Sequence, residues 1–226
     1  MCRACRLAPP AFTRAVSYGL YDGRLKAAIH SLKYGRLQPA ARALGHMLAQ
    51  AIAKLGGEAP DDMLVVPVPL HRSRMAQRGF NQARALARHA LDALAITHPL
   101  WRLELAAGTL LRQRATESQA GLSPRQRREN LRGAFTVTDP QAVDGKHILL
   151  VDDIMTTGAT VRSAALALRR AGAASVRVAT LARAHRASRA GETFIERDND
   201  SGLPGGFPGV QAPTTSMFSS AHQPSF

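Results

Sequence analysis

Two adjacent aspartates followed by a short polar loop are the residues whose types and order most clearly predict chemistry in this chain. Residues 148–151 are all apolar, Asp152 and Asp153 follow, and residues 156–160 read Thr-Thr-Gly-Ala-Thr. A short apolar run is typical of a strand covered on both faces, and open α/β sheets bind ligands at the C-terminal ends of their strands. The carboxylates could accept hydrogen bonds from neighbouring ribose hydroxyls or hold Mg²⁺, directly or through water.

The loop at 156–160 has the features of a phosphate site. It leads into a helix, whose N-terminal N–H groups attract anions, and its threonine hydroxyls add donors. Gly158 lets the backbone approach a phosphate closely. A phosphate loop beside two acids for a diol predicts a ribose 5-phosphate site. The alternative is that the aspartates simply end a strand and a threonine caps a helix, which explains each residue singly but not the whole run.

Strands and helices alternate along the chain and would position this run. Apolar residues follow helical spacing over 23–55, and Asn81 can cap a helix that follows a basic loop over 71–79. This alternation predicts an α/β fold with a mostly parallel sheet. The other predicted elements are strands at 64–69, 134–138 and 175–181, a helix that ends just before Gly172, and a polar, arginine-rich segment at 108–132.

The charge and composition limit the classes of protein to which the chain can belong. It has 226 residues, 45% of them hydrophobic, and 30 Lys+Arg against 16 Asp+Glu give a net charge of +14. This composition fits one globular domain with appendages and not a fully disordered chain. No apolar run is long enough for a membrane span, and no secretory signal follows Met1, so we expect a cytoplasmic protein. The positive charge predicts a polyanionic partner: nucleic acid, a phosphorylated metabolite or an anionic membrane surface.

The central run resembles the phosphoribosyl-pyrophosphate (PRPP) binding motif of type I phosphoribosyltransferases. Further segments resemble the ComF/GntX branch of that superfamily. They are Leu32-Lys33-Tyr34, Val66-Pro67-Val68-Pro69-Leu70, Arg78-Gly79-Phe80-Asn81-Gln82-Ala83, Arg112-x-Arg114-x-Thr116-x-x-Gln119, Gly121-Leu122-Ser123-x-x-x-Arg127-x-x-Asn130 and Gly133-Ala134-Phe135.

The resemblance implies the type I phosphoribosyltransferase fold: a mostly parallel five-stranded sheet with flanking helices and a small hood. It also implies that Asp152 and Asp153 are the catalytic pair, in contact with the ribose hydroxyls or Mg²⁺. The residues that would hold the 5-phosphate are Thr156, Thr157, Gly158, Ala159 and Thr160.

The same resemblance implies roles for two basic segments. The loop over 69–79 occupies the place of the family's pyrophosphate loop, with Arg72, Arg74, Arg78 and Gly79 as its candidate contacts. The segment 110–132 falls where such enzymes carry a flexible loop that closes over the site, and its candidates are Arg112, Arg114 and Arg127. Cationic side chains there could neutralise a departing pyrophosphate and exclude water. The alternative for both segments is a solvated surface.

The two ends of the chain depart from the rest. ComF-type proteins commonly begin with a zinc ribbon of two C-x-x-C pairs, whereas Cys2 and Cys5 form one pair, and a structural zinc site needs four ligands. Three explanations are compatible with a single pair: the true start of the protein lies upstream, which we favour; zinc has been lost; or two chains share one site. We expect no zinc in this chain. We therefore predict a zinc-ribbon remnant at 1–20, a phosphoribosyltransferase-like domain at 21–186 and a disordered tail at 187–226.

Two functions are compatible with these features. The first is a PRPP-binding phosphoribosyltransferase, a pentosyl-transferring glycosyltransferase of the ComF type that the resemblance links to competence and DNA uptake. The alternative is a non-catalytic accessory protein of natural transformation that uses the same fold to bind single-stranded DNA. Residues 1–186 carry +16, which supports DNA binding, whereas an aromatic content of 5% leaves few platforms for stacked bases. Further partners compatible with the resemblance are a second copy of the chain and proteins of the competence machinery.

Overall fold

A five-stranded parallel sheet carries the two aspartates. The computed structural model describes residues 9–34, 38–57, 60–113 and 133–184, all of them within the unit Met1–Ala187. The strand order is β1-β7-β6-β2-β3, and every neighbouring pair is parallel. The strands of this sheet are β1 (Arg14–Leu20), β2 (Asp62–Pro67), β3 (Arg102–Leu105), β6 (His147–Met155) and β7 (Ser175–Arg183). A separate antiparallel pair consists of β4 (Leu110–Arg112) and β5 (Phe135–Val137).

Helices cover both faces of the sheet because the side chains of a central strand alternate between two cores. On β6, Leu149 and Val151 belong to one core, whereas Ile148 and Leu150 belong to the other. The first core packs against α1 (Gly23–Tyr34), α2 (Gln38–Ala53) and α4 (Gln82–Thr97), and the second packs against α5 (Ala159–Arg170) and the β4–β5 pair. A short helix, α3 (Arg72–Arg78), precedes α4 and has no buried residue. The predicted α/β fold with a parallel five-stranded sheet is therefore confirmed.

The sequence prediction differs from the structure at several elements. The basic segment at 71–79 was expected to be a loop, and this is wrong because both ends of α3 are capped. The His71 side chain accepts a hydrogen bond from the N–H of Ser73, and Gly79, at φ 78°, donates from its own N–H to the carbonyl of Met75. The helical pattern over 23–55 corresponds to two helices, and the edge strands β1 and β3 were not predicted.

The N-terminal part of the sheet lies earlier in the chain than the expected domain start at residue 21. Residues 14–20 form β1 and pair with β7, so they belong to the sheet although the sequence grouped them with the N-terminal segment. Cys2, Cys5 and the tail expected over 187–226 lie outside the described residues. Within the described ranges, no helix combines the length and the apolarity that a membrane span requires.

Helices α2 and α4 approach each other closely at Gly45. A Cβ atom at this position would collide with the Cβ of His89 and lie 3.2 Å from the backbone nitrogen of Ala90. Glycine is disfavoured inside a helix, so its position here follows from the close packing of the two backbones. This contact sets the distance between α2 and α4 near the middle of α4.

We expect Gly45→Ala to destabilise the protein even though alanine is the better helix former. Separating two packed helices costs about 1–3 kcal/mol, which corresponds to a fall of about 2–10 °C in Tm for a domain of this size. The exposed Ala43→Gly change in the same helix is the matched control and should cost about 1 kcal/mol through helix propensity alone. A rise in the Tm of Gly45→Ala, measured by circular dichroism, would contradict the close packing.

Candidate functional site

A cleft opens where β2 stops pairing with β6. The last pair in the register between these strands is Pro67 with Val151, and one further hydrogen bond joins the Val68 N–H to the Val151 carbonyl at 2.8 Å. Proline has no N–H, so Pro69 cannot extend the ladder as a donor. On its other side β6 remains paired with β7 as far as Met155. Residues 152–154 therefore have a strand on one side and line the cleft on the other.

The two aspartates lie within β6, not beyond its end as the sequence suggested. Successive side chains of a strand point to opposite faces, so the carboxylates face different layers of the protein. Asp153 is buried, and its Oδ2 atom lies 2.8 Å from the Nζ atom of Lys33 on α1. Asp152 lies on the face of α5 and the β4–β5 pair, where the charge of Arg112 acts on it. Lys33 thus contacts Asp153 directly, and its charge also acts on Asp152, ahead of that of Arg112.

The environment of Asp152 favours its neutral form. Burial raises its pKa to about 8, and the neighbouring Asp153 charge contributes in the same direction. A hydrogen bond from the N–H of Asp153 to the Oδ1 atom of Asp152, at 2.9 Å, and the charges of Lys33 and Arg112 offset part of this rise. Burial, followed by the charge of Arg74, lowers the pKa of Arg112. At neutral pH Asp152 can therefore donate a hydrogen bond as well as accept one.

The threonine-glycine loop connects β6 to α5 beside these carboxylates. Gly158 adopts a left-handed conformation at φ 74° and is the N-terminal cap of α5, without a capping side chain. The hydroxyl of Thr157 accepts a hydrogen bond of 3.4 Å from the N–H of Ala159. The first N–H groups of a helix have no acceptor within it, so the start of α5 presents donors suited to an anion.

The segment between β2 and α4 forms the opposite wall of the cleft. Asn81 fixes this wall: its Nδ2 donates to the Val68 carbonyl at 3.0 Å, and its Oδ1 accepts from the N–H of Arg84 at 3.2 Å. Arg74 and Arg78 of α3 line the cleft, whereas Arg72 is exposed and does not.

The cleft has a volume of about 300 Å³ and contains more positive than negative side chains. Among the described residues that line it, four are cationic and two are carboxylates, so it suits an anionic ligand. The lining residues are Lys33, Val68, Pro69, Leu70, Arg74, Arg78, Asn81, Gln82, Ala83, Arg112, Asp152, Asp153, Ile154, Thr156 and Thr160.

Seven of the fourteen site residues predicted from the sequence meet at this cleft. Asp152, Asp153, Thr156, Thr160, Arg74, Arg78 and Arg112 line it. Thr157 and Gly158 belong to the adjoining loop, Ala159 is the first residue of α5, and Gly79 caps the C-terminus of α3. Arg114 and Arg127 lie outside the described residues. The roles of all these residues stay predictions.

The sequence did not indicate a role in the site for three polar residues that line the cleft. Lys33, Asn81 and Gln82 all lie in segments that carried the family resemblance. The sequence feature that could have indicated them is their position at helix ends. Lys33 lies at the end of one predicted helix, and the adjacent amides Asn81 and Gln82 lie at the start of another. Their convergence on the aspartates depends on the tertiary fold.

Comparison with known proteins agrees with this fold. The profile of the family described as "Phosphoribosyl transferase domain" matches residues 33–200. The chain therefore belongs to the phosphoribosyl transferase domain family and, as its relatives show, to the ComF type within it. "DNA utilization protein YhgH" of Escherichia coli O157:H7 is 38% identical over 186 residues, which cover 80% of this chain and 77% of that protein.

Two competence proteins are also similar to the chain. "Competence protein F" of Haemophilus influenzae is 30% identical over 186 residues, covering 81% of this chain and 78% of that protein. "Competence protein ComFC" of Bacillus subtilis is 39% identical over 127 residues, covering 55% of this chain and 46% of that protein. These relatives confirm the resemblance drawn from the sequence.

We expect the stability of the ligand-free protein to depend on pH through Asp152. A carboxyl group has a pKa of about 3.9 in an unfolded chain, so between pH 4 and pH 8 the folded state holds the proton that the unfolded state has lost. The free energy of unfolding therefore falls as the pH rises through this window. Asp152→Asn removes this contribution. The difference between the Tm of the variant and the Tm of the unsubstituted protein should therefore change by at least about 4 °C in favour of the variant between pH 4.5 and pH 8.

An exposed carboxylate provides the control for this measurement. Asp61 is exposed and precedes β2 at the opposite edge of the sheet, so Asp61→Asn is the matched control for the change from aspartate to asparagine. Parallel Tm curves for Asp152→Asn and the unsubstituted protein would show that the Asp152 carboxyl titrates normally.

Proposed function

We propose that the cleft binds PRPP with Mg²⁺ and that the protein transfers the phosphoribosyl group to a nucleophile. The observation that supports this most directly is the arrangement of two carboxylates, a threonine-glycine loop at a helix start, and four cations around one cleft. A ligand that contains a phosphate, a sugar diol and a pyrophosphate needs one of these groups of residues for each of its three parts. The relatives' names also support an action in the use or uptake of DNA, which we expect to take place in the cytoplasm.

Each part of the ligand has a complementary part of the cleft. The 5-phosphate would accept hydrogen bonds from the loop of 156–160 and the first N–H groups of α5. The ribose hydroxyls would hydrogen-bond to Asp152 and Asp153. The pyrophosphate would lie against Arg74, Arg78 and Arg112, because guanidinium groups bind phosphate oxygens through paired hydrogen bonds.

The residues support transfer by positioning and by charge stabilisation. A nitrogen nucleophile would form a bond to C1 of the ribose while the bond from C1 to the pyrophosphate oxygen breaks, and the pyrophosphate leaves with the bonding electrons. The ring becomes positively charged in between, and the Asp153 carboxylate would favour this charge, as would Asp152 once it loses its proton. The arginines stabilise the negative charge that develops on the leaving group.

The donor set of the cleft fits a magnesium ion that the ligand itself brings. Mg²⁺ in such sites binds one or two carboxylates together with phosphate oxygens and water. The described residues include no group of three or more metal-binding side chains, and Lys33 already neutralises Asp153. Asp152 and Asp153 would therefore contact the ion directly or through water. The ion would supply positive charge that polarises the pyrophosphate oxygens.

We expect PRPP with Mg²⁺ to bind and to stabilise the protein. At a concentration one hundred times Kd, a ligand adds about 2.7 kcal/mol, or about 5–10 °C in Tm. Asp153→Asn should weaken binding at least about 10-fold in calorimetry because an acceptor for the sugar hydroxyls loses its charge. The matched control Asp61→Asn should bind normally. Neither heat nor a shift in Tm at millimolar PRPP would overturn the proposal.

The arginines of α3 offer a second test that separates the pyrophosphate from the rest of the ligand. Arg74 lines the cleft and Arg72, two residues away, does not. Arg74→Met should weaken PRPP about 10-fold while it changes the affinity for ribose 5-phosphate less than about twofold. Arg72→Met should change neither. Equal losses for both ligands, or equal effects of both variants, would show that Arg74 does not contact the pyrophosphate.

A further inference from the structure

Gln82 is a polar side chain buried in the wall of the cleft. It is the first residue of α4, it is 3% exposed, and it lines the cleft together with Asp152 and Asp153. The preceding Asn81 uses both ends of its amide within the protein, on the Val68 carbonyl and the Arg84 N–H. Gln82 therefore is not needed to cap α4 or to join it to β2.

The side-chain oxygen of Gln82 has no hydrogen-bond partner among the described residues. Its Oε1 atom is fully buried and accepts no hydrogen bond there. Buried polar atoms almost always have a partner, because leaving one without a partner destabilises the folded state. An apolar side chain of similar volume would fill the same space without this loss. Gln82 lines the cleft, so a turn of its terminal amide toward a bound ligand would give Oε1 the partner that it lacks within the protein.

The chemistry of an amide oxygen limits what that partner can be. Oε1 accepts hydrogen bonds and cannot donate them. The oxygens of phosphate and pyrophosphate esters are themselves acceptors, and four cations of the cleft already suit them. The partner of Gln82 must therefore carry an O–H or N–H group.

We propose that the Oε1 atom of Gln82 accepts a hydrogen bond from a neutral donor of the bound substrates, either a ribose hydroxyl or an N–H of the acceptor base. This inference rests on the proposed function and extends it, because it adds a neutral recognition element to a site otherwise built from charges. Gln82 is in this sense a substrate-binding residue that selects for ligands with a donor at one position. An anionic group of the ligand would bind to Lys33 or to an arginine of the cleft instead.

The test compares Gln82→Met with Gln50→Met. Methionine keeps the volume and the helix propensity but removes the amide oxygen, and Gln50 is an exposed glutamine of α2 that serves as the control. Calorimetry with ribose 5-phosphate reports on the sugar hydroxyls alone. Calorimetry with adenine, guanine, hypoxanthine and uracil, each added to protein saturated with PRPP, reports on the acceptor base.

A loss of at least about 5-fold in ribose 5-phosphate affinity for Gln82→Met would support the proposal and assign the donor to the sugar. An unchanged affinity for ribose 5-phosphate with a loss of at least about 5-fold for any base that the unsubstituted protein binds would support it and assign the donor to the acceptor. Changes below about twofold with every ligand would overturn it. If the unsubstituted protein binds neither PRPP nor ribose 5-phosphate, the proposed function fails and the role of Gln82 fails with it.

The Tm of the ligand-free variants separates binding from a structural role. Removing a buried oxygen that has no protein partner should leave the Tm of Gln82→Met unchanged or raise it by about 2–4 °C. A lower Tm together with unchanged affinities would show that Gln82 only supports the fold, and would overturn the proposal. Gln82→Leu, which also lacks the oxygen, repeats both measurements if the methionine variant does not fold.

Discussion

The early end of β2 is the constraint on which the cleft depends. Pro67 is the last residue of β2 in register with β6, whereas β6 continues alongside β7 as far as Met155. In the middle of a parallel sheet, this difference in length exposes one edge of β6 at the carboxyl ends of the strands. The chain between β2 and α4 then turns away and supplies a wall. The cleft is therefore a consequence of unequal strand lengths and prolines rather than of a separate domain.

The alternation of side chains along β6 makes two neighbouring carboxylates different from each other. Asp153 faces the layer of α1 and meets Lys33, while Asp152 faces the layer of α5 and the β4–β5 pair, where Arg112 lies. Two carboxylates on one face would repel each other strongly and share one environment. Here Lys33 is in direct contact with Asp153, its charge and that of Arg112 both act on Asp152, and the Asp153 charge still raises the pKa of Asp152. A ligand at the end of β6 thus contacts both helical layers of the domain through adjacent residues.

The parts of the fold that depend on local sequence were predictable, and those that depend on distant partners were not. The strand before Asp152, the glycine-containing loop and the cap at Asn81 follow from runs of neighbouring residues. The edge strands β1 and β3 carry weaker patterns because an edge strand is less fully covered. Helix α3 has no buried face, so apolar periodicity could not reveal it. The contact of Lys33 with Asp153 joins α1 to β6, and no local pattern encodes such a distance.

The pairing of β1 with β7 bears on how the chain acquires its structure during synthesis. β1 lies at the edge of the sheet and pairs with β7, and Ser17 and Thr180, whose hydroxyls are 2.8 Å apart, are separated by 163 positions. Contacts between such distant positions form slowly because a long loop must close first. An emerging chain must keep residues 14–20 unpaired until residues 175–183 have left the ribosome. The first strand of the chain therefore joins the sheet only after β7 has been synthesised.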